Sequence, residues 1–155
     1  MQVNNAPMIV PLVSSSVVGP LGLAHLPRLW CKILLHAHGE LPEGYRYGNG
    51  GFDEKICDAI GVDRDALVAF VTEERPSYLT FEAWVRSHAS KLDDRSISAW
   101  NAVVAGANLP EAMAIERRAR FAIPDGSHPG AVLLNDLDDW DEFQRALTRS
   151  TSSGT

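Results

Sequence analysis

The chain has 155 residues, 45% of them hydrophobic and 22% charged, enough to enclose one sizeable core. A net charge of -6 and a pI near 5.3 exclude a basic groove for nucleic acid or an anionic membrane surface as the main interface, because both need a surplus of Lys and Arg. Cys31 and Cys57 lack the spacing of a zinc site, so reduced, packed thiols and a cytoplasmic setting are expected, with no metal and no cofactor.

Residues 1–20 are apolar, carry no Lys or Arg and are broken by Pro7, Pro11 and Pro20, a pattern foreign to a signal peptide or a membrane span. Met8 to Val13 is expected as an extended arm over the core, although an intersubunit strap has the same composition. Pro27 suits the first turn of a helix running to about His38, with Gly39 at its end. On that helix Arg28, Lys32 and His36 share a stripe, while Leu26, Trp30, Ile33 and Ala37 turn inward.

A second helix carries Phe52, Ile56 and Ile60, with Asp53 and Glu54 in the first turn where the helix dipole favours acids, and stops at Gly61. Asp63 caps a third, with Val62, Ala66, Leu67, Phe70 and Val71 as its apolar stripe. Thr80 caps a fourth, bearing Phe81, Trp84, Val85 and His88, and Asp94 a fifth, bearing Ile97, Trp100 and Val104. Asn108 to Glu111 has the spacing of a capping box and opens a sixth to about Phe121. A seventh runs from Asp136 to Leu147, with Leu137, Trp140, Phe143 or Gln144, and Leu147 inward. Gly130 to Leu134 is the one segment that reads as extended, and a single short strand makes no sheet. The expectation is an all-α domain of about seven helices over 21–149, an extended arm over 1–20 and a disordered tail over 150–155. Trp30, Phe52, Ile56, Leu67, Phe70, Trp84, Trp100 and Trp140 are expected to be mainly buried. The loops 41–51 and 123–130 are long enough to be functional.

A cationic stripe on an apolar helix costs desolvation energy and needs an anion opposite it. Either an internal acid such as Asp53, Glu54 or Asp94 supplies that anion, or a ligand's carboxylate, carbonyl oxygen or phosphate does, with Arg28 as a bidentate fork and Lys32 as a point charge. His25, just before the helix, suits either a cap or a base near pH 7. Desolvated beside Arg28, Lys32 would also serve as an amine nucleophile. His36 and His38 point about 200° apart and cannot share one ion. His88 reads as a core histidine and His128 as a turn residue. Ser127 and His128 are adjacent and lack the nucleophile-elbow pattern, and Gly48 to Gly51 lacks the Lys-Ser/Thr of a phosphate loop. The acidic run Asp136, Asp138, Asp139, Asp141 and Glu142 reads as a solvated helix face.

Two functions from different classes follow. The first is a cofactor-independent enzyme of isomerase, cyclase or lyase type, or a binding protein, for a small molecule carrying a carboxylate or carbonyl. Its catalytic candidates are Lys32, Arg28, His25 and Asp53, and its binding candidates Tyr45, Tyr47, Trp84, His88, Trp100 and Asn101. The second is a non-catalytic helical module that forms a homodimer or binds another protein through its arm and Trp-bearing helices. A pocket reaching Lys32 speaks for the first, and a filled core with an exposed apolar patch for the second.

His25-Leu-Pro-Arg28 followed by Lys32, Gly39, a loop ending in Gly51-Phe52-Asp53, Ile60-Gly61-Val62-Asp63 and a Trp84-centred helix resembles a family of small bacterial proteins known only as a domain of unknown function. The resemblance spans Gly22 to Trp100 and, more loosely, Leu134 to Arg145. The family pattern carries Asp-Lys where this chain has Cys31-Lys32. No activity is attached to the family, so the resemblance implies a shared helical fold and directs attention to His25, Arg28, Lys32 and Asp53.

Overall fold

A computed structural model describes residues 8–151, of which 61% are helical, with no strand among the described residues. Helix α1 spans Leu26–Ala37, α2 Gly51–Ile60, α3 Arg64–Glu74, α4 Tyr78–His88, α5 Asp94–Gly106, α6 Glu111–Arg120 and α7 Ala131–Thr151. The α1 helix packs against α3 and α4, and α2 packs against α5. Leu26, Leu29 and Ile33, three and four residues apart, fall on one face of α1 and are wholly buried with Ile56, Ile60, Leu67, Val71, Phe81 and Val85. Among the described residues no helix is long and apolar enough to cross a membrane.

Helix ends follow local chemistry, with shifts from the sequence reading. Asp63 caps α3, accepting the Ala66 N–H at 3.1 Å. Ser77, not Thr80, caps α4, so that helix starts earlier and the Thr80 N–H donates to Ser77 Oγ. Asp93, not Asp94, caps α5 in a reciprocal box with Ser96, at 2.7 and 2.9 Å. The box expected at Asn108 to Glu111 does not form, because Pro110 occupies the cap position and offers no side-chain acceptor. Gly61 closes α2 with φ 70°, and a Cβ there would lie 2.2 Å from Ser90 Oγ, so only glycine fits this junction.

The largest departure is α7. It begins at Ala131, so Gly130 to Leu134 is not extended: the Ala131 N–H donates to the Ala107 carbonyl and the Leu134 N–H to the Gly130 carbonyl. Its buried residues are Ala131, Leu134 and Asp139, whereas Trp140 is 53% exposed and Phe143 and Leu147 also face outward. Adjacent helix positions lie about 100° apart, so holding Asp139 inside turns Trp140 out. Ile56, Leu67 and Trp100 are buried as expected, while Trp30, Phe52, Phe70 and Trp84 are half-buried. His88 is exposed, not a core residue; its ring stacks on Trp84 and Nδ1 lies 2.8 Å from the Trp84 carbonyl.

Residues 8–14 carry no helix or strand. They run past the end of α1, where the Ile9 N–H donates to the Glu40 carbonyl at 2.8 Å, and they bury Val10 and Pro11. Residues 1–7 of the expected arm and 152–155 of the expected tail lie outside the described residues, and 150–151 belong to α7.

Candidate functional site

His25 occupies the position before α1 with φ 74° and is buried. Left-handed backbone costs a non-glycine residue about 1–2 kcal/mol, and the preceding turn is clamped in a way that holds it. Asn101 Oδ1 accepts the Ala24 N–H at 2.9 Å and Asn101 Nδ2 donates to the Gly22 carbonyl at 2.7 Å. The Trp100 indole N–H donates to the Ala24 carbonyl at 2.7 Å. Within this clamp His25 Nδ1 lies 2.9 Å from Ser15 Oγ, and Nε2 lies 2.5 Å from Asp53 Oδ1.

Asp53, in the first turn of α2, gathers three further contacts, from α1 and from the loop before α2. Lys32 Nζ donates to both of its oxygens at 2.9 and 2.8 Å, and the Gly48 N–H donates to Oδ2 at 2.8 Å. Gly48 has φ 81°, and a Cβ there would sit 2.6 Å from the Val68 side chain, so the loop can present this N–H only through glycine. One turn back on α1, Arg28 forms a fork with Asp139 at 2.6 and 3.1 Å and donates to the carbonyls of Pro11 and Val13 at 2.9 and 2.8 Å. Tyr45 O–H completes Asp139 at 2.8 Å. Both cations of the stripe therefore face internal acids: Lys32 faces Asp53, and Arg28 faces Asp139. The second acid corrects the reading of the 136–142 run as a solvated face.

Burial pulls the His25 pKa below the ordinary 6.5, outweighing the Asp53 carboxylate beside it. Burial would raise Asp53, but the hydrogen bond from His25 and the Lys32 charge hold it below its ordinary value of 3.8. Burial lowers Lys32 despite Asp53, and it opposes the Arg28 charge less than Asp139 supports it, so Arg28 is raised. Burial and the Asp139 carboxylate push the Tyr45 phenol upward. With His25 neutral and Asp53 ionised, Nε2 carries the ring proton and donates it to Asp53. Nδ1 keeps its lone pair and accepts the Ser15 hydroxyl.

The cluster opens onto a cleft of about 270 Å³ lined by Ser15, His25, Arg28, Lys32, Tyr45 and Asp53, by Gly50 to Phe52 at the start of α2, and by Met113, Arg117 and Asp138. This lies just below the usual range for small-molecule pockets, about 300–1,000 Å³. Residues 12–143 match the domain of unknown function DUF5069. The chain belongs to that family. Every residue lining the cleft lies inside the DUF5069 match, which extends the likeness seen over Gly22 to Trp100 through most of α7. No curated protein matches the chain.

Of the catalytic and binding candidates, His25, Arg28, Lys32, Asp53 and Tyr45 line the DUF5069 cleft, and the others do not. Tyr47 stacks on His36, with ring centres 3.5 Å apart, beside a separate hollow. Trp84 and His88 stack with Phe70 away from the cleft. Trp100 and Asn101 act one step behind it, through the turn that sets His25. The sequence does not mark Ser15 or Arg117, and it shows Asp139 only as one of a run of acids. Ser15 stands in a run of three serines with no spacing signal, and Asp139 and Arg117 lie in segments that read as ordinary charged helix faces.

Proposed function

We propose that this DUF5069 domain is a cofactor-independent enzyme acting on a small molecule with a carbonyl or carboxylate, and that His25 moves the proton. One observation carries the reading: His25, Asp53 and Lys32, all buried, converge at the wall of an open cleft with His25 in left-handed backbone. Buried ionic clusters give little net stability, and strained, titratable groups gather at sites of chemistry. In this reading Asp53 orients the imidazole, Lys32 keeps Asp53 ionised, and Arg28 with Asp139 and Tyr45 holds the arm and the 41–51 loop against α7. Isomerisation, cyclisation, elimination and addition to a carbonyl each need one group that accepts and returns a proton, and a neutral imidazole at pH 7 supplies it. Two free thiols accord with a cytoplasmic setting.

An amide NMR titration with pyruvate, lactate and a short-chain ester tests the reading. Saturable shifts centred on Gly50, Gly51 and Phe52 are expected for at least one compound, and none for any of them would overturn it. A homodimer is the second reading, favoured by the outward apolar Phe143 beside Met8, Ile9 and Leu12 and by the exposed Trp140 three residues before it on α7. The acid-rich first half of α7 would lie against the arginine-bearing second half in an antiparallel pair. Light scattering decides it by mass.

A further inference from the structure

We infer that Ser15 is the nucleophile of this cleft and that the domain takes an acyl group from an ester or thioester onto Ser15 Oγ. The inference rests on the reading of the cleft as catalytic and narrows it to addition at a carbonyl. The three neighbouring serines divide sharply. Ser14 Oγ bonds to Ser16 Oγ at 2.9 Å and to Asp136 at 3.1 Å, while Ser15 is buried, lines the cleft and bonds through Oγ to His25 Nδ1.

A hydroxyl, an imidazole and a carboxylate therefore stand in line, at 2.9 and 2.5 Å. The ring accepts from the serine on one nitrogen and donates to the acid on the other, which is the arrangement that activates a serine, recognised by geometry and not by order in the chain. The two imidazole nitrogens are used in the sense opposite to that of the serine proteases. Gly51 and Phe52, at a helix start with no side-chain cap, border the same cleft and favour negative charge on an adding carbonyl oxygen.

The step balances within the cleft. Oγ bonds to the carbonyl carbon as its proton passes to Nδ1, and the bond to the alkoxide or thiolate breaks as Nδ1 returns that proton to the leaving group. Water then adds to the acyl-serine, gives its proton to Nδ1 and releases the acid, with the proton restored to Oγ. Asp53 stays ionised throughout, held by Lys32 and the Gly48 N–H.

The full chain mixed with p-nitrophenyl acetate should release nitrophenol in a burst and gain the mass of one acetyl group, mapped by peptide mass spectrometry to Ser15. Ser15→Ala should lower the burst rate by about 100-fold or more, and Ser15→Cys should restore labelling at position 15. Acetylation confined to Lys32 or any other residue, no acetylation at all, or a Ser15→Ala burst equal to that of the parent chain would overturn the proposal. Should Ser15→Ala fail to fold, the acetyl position in the parent chain decides alone. Binding shifts at Gly50 to Phe52 that persist without acylation of Ser15 would remove the nucleophile and leave the cleft reading standing.

Discussion

Removing the Lys32 ammonium leaves the Asp53 carboxylate with the His25 ring and one loop N–H for company. Lys32→Met keeps much of the apolar stem, so the loss falls on the charge. A buried acid stripped of its cation costs about 3–5 kcal/mol, against about 1 kcal/mol or less had the ammonium faced a ligand alone. Urea unfolding of the variant should show the larger loss; a midpoint within error of the parent would mean that His25 and Gly48 satisfy Asp53 unaided. The pH dependence follows from the same cluster. The folded pKa of His25 lies below its ordinary value, so from pH 6.5 downward the unfolded chain binds a proton that the native state resists, and stability falls. Asp53 is also lowered; its contribution is present above pH 3.8 and lost as pH falls further. Melting temperature should therefore decline in two stages on acidification, the first absent in His25→Gln.

At the scale of elements, the sequence carried the helices better than their phases. Apolar residues three and four apart place Leu26, Leu29 and Ile33 of α1 in the core because burial there is a local, periodic property. The same rule chose the wrong face of α7. Leu137, Trp140, Phe143 and Leu147 form an apolar stripe, but a charge pair to α1 sets the helix rotation and brings Asp139 inward. Periodicity cannot see a partner that lies on a distant helix, and acids near a helix start already have an adequate local reason to be there. His25, Arg28, Lys32 and Asp53 were legible as a candidate site because cations on an apolar helix demand an anion. Ser15, the proposed nucleophile, was not legible, since a loop serine carries no local pattern that marks what folds over it.

Across the whole molecule, Arg28 joins three distant parts of the chain: the 8–14 segment through two carbonyls, α7 through Asp139, and the 41–51 loop indirectly through Tyr45. Asp139→Asn removes the charge while keeping the size, and the guanidinium is then left buried with neutral acceptors only. A loss of about 3 kcal/mol is expected in urea unfolding, with faster hydrogen exchange at the Ile9 amide as the arm loosens. An unaltered midpoint would mean that the two carbonyls suffice. The 111-residue separation of Arg28 and Asp139 also orders events during translation. His25, Lys32 and Asp53 precede the seventh helix in the chain, as do Trp100 and Asn101, which clamp the turn before His25, while the Arg28 fork waits for the seventh helix. Until α7 is made the cleft lacks the wall formed by Asn135, Asp138 and Asp139, so α7 is the element that closes it.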